Sequence, residues 1–303
     1  MEISVAHRLI EKCLKTQDKV LDLAVCGLNE SSAELDLLRK CTHVEKLRLG
    51  NDLENVKSAS SQKEHNSFTR IPEQIKYLQN LKYLSIEYNQ IKKIENLESL
   101  QKLQELFLSN NQISNIEGVS QLTDLQTLIL SSNPISKIEG LDTLTNLKNL
   151  HLSGAKISKI TGLDTLTNLQ HLNLDYNQIP KIEGLANLTA LRTLGLGANK
   201  ISKIENIDQL LSIETLTLSN NRIKIIEGLS TLESLSSLFL NNNSIEDIFE
   251  LEELLPRLSL IYLHSNPIKL ERHNIEEIKS YLSRFHKSFK KIKIESNRKT
   301  GAL

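Results

Sequence analysis

The 303-residue sequence has no tryptophan, only three cysteines, six phenylalanines and six tyrosines, and no net charge. Its 37 basic and 37 acidic residues exclude a uniformly basic nucleic-acid binder. No stretch approaches the roughly 18 uninterrupted apolar residues of a membrane span. The opening MEISVAHRLIEKCLKTQDK has early acidic residues, no long apolar run and no small-residue cleavage site. It does not read as a secretory signal, and we expect an intracellular protein, cytoplasmic or nuclear. Cys13, Cys26 and Cys41 are odd in number and form no CxxC, so neither a disulfide framework nor a zinc site follows. Thiols of this kind are expected to be small buried residues kept reduced. The motifs GxxxxGK[ST], HExxH and GxSxG are missing, and GLGAN at Gly195–Asn199 lies on a repeat strand rather than a phosphate loop. No enzyme activity, cofactor or metal is expected.

What the chain does have is self-similarity. From Leu81 onward the string LxxLxLxxNxI recurs nine times, starting at Leu81, Leu103, Leu125, Leu147, Leu169, Leu191, Ile213, Leu235 and Leu258. The step is 22 residues, with 23 before the last repeat. Period-2 alternation makes LxLxx a short strand, and the remainder must carry the chain back to start the next strand beside it, so each repeat is one coil of a solenoid. The inward set of one coil, Leu103, Leu106, Leu108, Ile113, Ile116, Val119 and Leu122, cannot be buried by that coil alone. Asparagine stands at the ninth place as Asn89, Asn111, Asn133, Asn177, Asn199, Asn221, Asn243 and Asn266, where its amide can satisfy backbone groups of neighbouring turns. Ala155 replaces it in the fourth repeat, which predicts unpaired backbone groups and a softer coil.

The repeats and the IEGL or IENL that follows each strand, as at Ile94–Leu97, Ile116–Val119 and Ile182–Leu185, resemble leucine-rich repeats of the SDS type, the class of the nuclear regulator of protein phosphatase-one. The resemblance implies an α/β repeat fold: a right-handed curved solenoid with a parallel β-sheet on its concave face, 3₁₀ turns on the convex face and helical caps. The segment FTRIPEQIKYLQN and the opening RLIEKCLKTQDKVLDL also resemble bacterial and Roco-type leucine-rich repeats. We expect an N-terminal helical cap over residues 1–17, degenerate repeats over 18–80, nine regular repeats over 81–268, and a basic C-terminal cap and tail over 269–303. In the degenerate part Cys26 and Asp52 fall in the asparagine place, and the polar Ser- and Lys-rich stretch 54–66 reads as an exposed loop. Residues 269–299 hold ten Lys or Arg against four Asp or Glu and read as an amphipathic cap helix.

Strand alternation turns the third, fifth and seventh residues of each repeat away from the core and puts the eighth near the rim. Six of the scarce aromatics occupy these places: Tyr83, Tyr88, Phe107, Tyr176, Phe239 and Tyr262. An apolar stripe at Phe107 and Ile129 is flanked by Tyr83, His151 and His171 and rimmed by Glu87, Glu105 and Asp175. An apolar centre with a polar rim is how protein-binding patches are built. Thr193, Gly195 and Gly197 predict a shallow place before a second patch at Phe239 and Tyr262, which one partner could bridge. His151, His171 and Asp175 could also be read as a metal or acid–base group, but further ligands at fixed spacing are lacking.

The expected function is a monomeric, non-enzymatic scaffold that binds a protein on its concave face. Alternatives are a bacterial effector or host-interacting protein, a phosphatase regulatory subunit, and an RNA or membrane-surface adaptor working through 269–299. If the patch is right, Phe107→Ala weakens binding and leaves thermal stability nearly unchanged.

Overall fold

The computed structural model describes residues 3–51, 65–246, 251–254 and 257–268. Among the described residues eleven three-residue strands follow one another in chain order: β1 (Val20–Asp22), β2 (Lys46–Arg48), β3 (Tyr83–Ser85), β4 (Glu105–Phe107), β5 (Thr127–Ile129), β6 (Asn149–His151), β7 (His171–Asn173), β8 (Thr193–Gly195), β9 (Thr215–Thr217), β10 (Ser237–Phe239) and β11 (Leu260–Tyr262). The chain divides into two compact units, one ending at Lys156 and the other starting at Ile157. Each unit is a parallel β-solenoid in which equivalent repeat positions pair, for example Leu84 with Leu106 in the first and Leu194 with Leu216 in the second.

The first unit opens with helix α1 (Val5–Thr16), capped where the Ser4 hydroxyl accepts the His7 N–H at 3.1 Å. Its buried residues Ala6, Ile10 and Cys13 cover the first coil, so the helix hides leucines that have no coil before them. The connections behind the strands take two forms. In the degenerate repeats they are true 3₁₀ helices, Ala33–Lys40 and Glu73–Tyr77. In the regular repeats two successive i+3 turns suffice, as where Leu100 N–H bonds Leu97 C=O and Leu103 N–H bonds Leu100 C=O, each at 2.9 Å.

Two backbone positions per repeat make the coil turn. The eighth residue has a left-handed φ in every regular repeat, between 52° at Ala198 and 67° at Gly154. This reverses the chain so that the ninth side chain points inward. The second position is the Gly of IEGL: Gly118, at φ 93°, lies so close to the preceding coil that a Cβ would meet the Ile94 carbonyl oxygen at 2.0 Å. Where Asn replaces Gly in IENL, its amide repays the strain by donating to the coil before, Asn96 to Ile71 C=O at 2.8 Å and Asn206 to Ile182 C=O at 2.7 Å.

The inward asparagines form the expected ladder. Asn111 Nδ2 donates to Ile86 C=O in the preceding coil and Leu108 C=O in its own, while Oδ1 accepts the Ile91 N–H. Asn133, Asn199, Asn221, Asn243 and Asn266 repeat the pattern. Two expectations need correction. At the Ala155 coil, Ile135 N–H is not left without a partner: it turns back to Asn133 C=O at 2.8 Å around Pro134, a tight turn that proline's fixed φ favours.

The second correction concerns the degenerate repeats. Asp52 lies outside the described residues, and the ladder place of that coil is taken by Asn66, which is 3% exposed and no part of an open loop. Its Nδ2 donates to Leu23 and Leu49 carbonyls, and its Oδ1 accepts from Cys26 and Leu28 N–H groups. Residues 52–65 are therefore an insertion between the eighth and ninth places of the second coil. Its stem is closed by Asn51, whose side chain both accepts the Asn66 N–H at 2.8 Å and donates to the Asn66 C=O at 2.9 Å. Residues 54–64 of the expected loop lie outside the described residues, as does the whole C-terminal stretch 269–303.

Candidate protein-binding face

In the first unit, register brings Tyr83 beside Glu105, Phe107 beside Ile129, and Ile129 beside His151. All but the exposed Glu105 are half-buried. The Tyr83 and Phe107 rings lie 4.9 Å apart at 34°, so part of each is covered by the other. Burial is the main cause of a raised Tyr83 phenol pKa, which keeps the ring neutral. Lys46, a residue that sequence reasoning passed over, places its ammonium 4.1 Å from the Tyr83 ring centre. The signal was available, because Lys46 holds the third place of the coil preceding Tyr83. Val20, 54% exposed at the same place one coil earlier, extends this row. Glu87 accepts from the Ser85 hydroxyl at 3.5 Å.

Acid and base are stapled along the edge of this face. Glu45 joins Lys19 at 2.6 Å and Lys82 at 2.7 Å, and hydrogen bonds from these two lysines of the neighbouring coils hold its carboxyl down to about 2. Arg48 binds Asp22 at 2.9 Å.

In the second unit the face is almost uncharged. His171 is half-buried, while Tyr176, at the left-handed eighth place, is 69% exposed. Phe239 and Tyr262 stack at 5.2 Å and 11°, and His264 meets the Tyr262 ring edge-on at 6.0 Å. Asp175 is not a free acid on the rim. Its carboxylate folds over the next coil, where Gly197 N–H donates to Oδ1 at 2.6 Å and a Cβ at Gly195 would come within 3.0 Å of it. The shallow place expected at Gly195 and Gly197 is thus filled from within. Desolvation raises the Asp175 pKa, partly offset by the Gly197 hydrogen bond.

Polar side chains on both faces are pinned to one another across strands. Asn149 donates to Thr127 Oγ1 at 3.0 Å, Ser153 and Ser131 hydroxyls pair at 3.0 Å, and Ser219 donates to Asn241 Oδ1 at 2.6 Å. These bonds hold their rotamers in place. Among the described residues no group of three or more His, Cys, Asp or Glu could hold a metal ion, and no helix is long and apolar enough to cross a membrane.

No curated protein matches the chain. Solved structures do. An internalin, InlF, from Listeria monocytogenes superposes with a TM-score of 0.65 at 23% identity, covering 93% of this chain and 94% of that one. Internalin C2 from the same organism gives 0.60 at 28% identity, over 77% and 91% of the two chains. The functional domain of L. monocytogenes InlJ gives 0.61 at 20% identity, over 86% and 56%. The family model for leucine-rich repeats in pairs matches residues 79–121, 101–142, 123–165, 167–209 and 212–253. These matches span more than half of the chain and agree with the coils, the asparagine ladder and the parallel strands: the chain belongs to the leucine-rich repeat family.

Proposed function

We propose that the chain is a non-enzymatic scaffold that binds a protein partner on the outward face of its sheet. The observation that carries this reading is the placing of scarce apolar and aromatic side chains there, above all the half-buried Tyr83, Phe107 and Ile129 of the first unit. Glu87, Glu105 and His151 surround them, and His171, Asp175, Tyr176, Phe239 and Tyr262 are the corresponding candidates in the second unit. The 22-residue step and the left-handed Gly or Asn of each IEGL or IENL support the SDS-type class. Two buried cysteines, Cys13 and Cys41, and the lack of any CxxC support a reducing, intracellular setting.

The test is affinity capture from lysate with the wild type beside a Phe107→Asp, Ile129→Asp double variant, both checked for native circular dichroism. A protein retained by the wild type alone supports the face. Capture of the same set by both removes it. Because Phe107 packs on Tyr83, Phe107→Ala is expected to cost stability of about 0.5–1.5 kcal/mol as well as partner affinity of more than ~1 kcal/mol.

A further inference from the structure

The coils of β1 to β4 turn both signs of charge outward on the face of the first unit, and most of it is already engaged. Arg48 holds Asp22 at 2.9 Å, and Glu87 accepts from the Ser85 hydroxyl. Lys46 and Glu105 differ: among the described residues no carboxylate pairs with the first and no cation with the second. Both stand at the third place of their coils, in one row through the register Lys46, Tyr83, Glu105. An uncompensated cation and an uncompensated acid therefore flank the Tyr83 position. The cation is held there, because its ammonium lies 4.1 Å from the Tyr83 ring centre, while the Phe107 ring lies 4.9 Å from the same ring. Ile129, paired with Phe107, extends the apolar surface to β5. A ligand complementary to this row brings an acid to Lys46, a base to Glu105, and apolar groups to the rings between and beyond them.

Spacing decides the backbone of that ligand. Neighbouring strands of a sheet lie about 4.7–4.9 Å apart, so third places two strands apart are separated by about 9.4–9.8 Å. A β-extended segment laid across the strands repeats a side-chain face about every 6.7 Å, which falls between coils. A polyproline II segment has three residues per turn at about 3.1 Å each, so residues three apart face the same way at about 9.3 Å. That matches the step from the coil of Lys46 to the coil of Glu105. We propose that the first unit binds a proline-rich segment in the polyproline II conformation, with an acidic side chain on Lys46 and a basic side chain, three residues away, on Glu105. The inference rests on the protein-binding reading above and adds the chemistry of the partner.

The parts of the row divide the work. Proline rings pack on the aromatic and apolar floor of Tyr83, Phe107 and Ile129 and supply most of the affinity, and a segment already extended loses little freedom on docking. Lys46 is half-buried and Glu105 exposed, so the two charges fix where the segment sits and which sequences are accepted more than how tightly they are held. Beyond Ile129 the face is polar, with Asn149 bonded to Thr127 and Ser153 to Ser131, and it offers no further site for a charge of the ligand.

The test selects a phage-displayed library of random dodecapeptides on the full chain, and measures the enriched consensus as a fluorescein-labelled peptide by anisotropy. The expected consensus has an acid and a base three residues apart with proline between them. Lys46→Gln and Glu105→Gln, each with native circular dichroism, should weaken the peptide about threefold or more, and Phe107→Ala about tenfold. Moving the two charges of the peptide to a spacing of two should weaken it as much as removing one. A consensus without this charge pair, no enriched peptide, or equal affinity for Lys46→Gln and Glu105→Gln overturns the proposal. The Phe107→Asp, Ile129→Asp capture run beside it separates the two readings: if that variant loses a captured protein while the peptide arm fails, the partner chemistry falls and the binding face stands. If capture is unchanged and the peptide arm fails, both fall.

Discussion

The degenerate coils before Tyr83 and the regular coils after it build one ladder from different parts. In the regular coils the ladder asparagine follows its strand at fixed spacing, whereas Asn66 reaches the same carbonyls from the far side of an insertion. Turns are likewise two i+3 bonds in one region and 3₁₀ helices of five and eight residues in the other. The comparison teaches that a coil is defined by which backbone groups are satisfied, not by its length. Twenty-two residues is the shortest of the solutions present here.

The sharpest way to break the comparison is Asn66→Ala. It strips four hydrogen bonds from a buried site and should destabilise the first unit by about 2–3 kcal/mol in a urea titration. Asn89→Ala, at a half-buried place with an acceptor bond from Phe68 N–H and a donor bond to Glu87 C=O, should cost only about 1 kcal/mol. Equal losses would mean that the number of hydrogen bonds an asparagine makes does not set what it contributes.

Next in size is the glycine of IEGL. Gly118→Ala drives a Cβ into the Ile94 carbonyl at 2.0 Å and should cost about 2 kcal/mol or more, while Gly140→Ala, with 3.4 Å to Ile116 O, should cost about half as much from backbone strain alone. Thermal melts of the two variants give the ordering directly.

Ala155→Asn sharpens the comparison from the other side by restoring the missing rung. Because Ile135 N–H is already bonded to Asn133 C=O, the gain should be below about 1 kcal/mol. A gain of 2 kcal/mol or more would show that the turn at Pro134 is a poor substitute.

The smallest effects are on pH dependence, and they have opposite signs in the two regions. Glu45 has a folded pKa of about 2, below its unfolded value, so its contribution is complete above that unfolded value and fades as pH falls toward 2. Glu45→Gln should flatten the acid limb of the stability curve. Asp175 has a folded pKa raised above its unfolded value, so its buried charge weakens the fold at neutral pH and that penalty is relieved as pH falls through the folded pKa. Asp175→Asn keeps an acceptor for Gly197 N–H and should raise the neutral-pH melting temperature, with the advantage shrinking in acid.

Much of this was legible in the sequence. Nine in-phase repeats place every strand from Tyr83 to Tyr262, and the outward aromatics stand on the strands and at the rims where alternation puts them. Asn66 was hidden because a fixed spacing cannot be followed across an insertion, and Asp52 filled the gap in the pattern. The bond from Gly197 to Asp175 was not legible, because it depends on what Gly195 and Gly197 of the next coil lack, a relation between repeats that a reading within each repeat does not contain. Lys46 was missed for the same reason: its partner is the ring of the following coil.

The two-bond clip between Asn51 and Asn66 bears on how the coils keep step. Because Asn51 and Asn66 are tied to each other, and Asn66 to the carbonyls of both coils, the register of the ladder is set by these two residues on either side of the added sequence rather than by the number of residues between them.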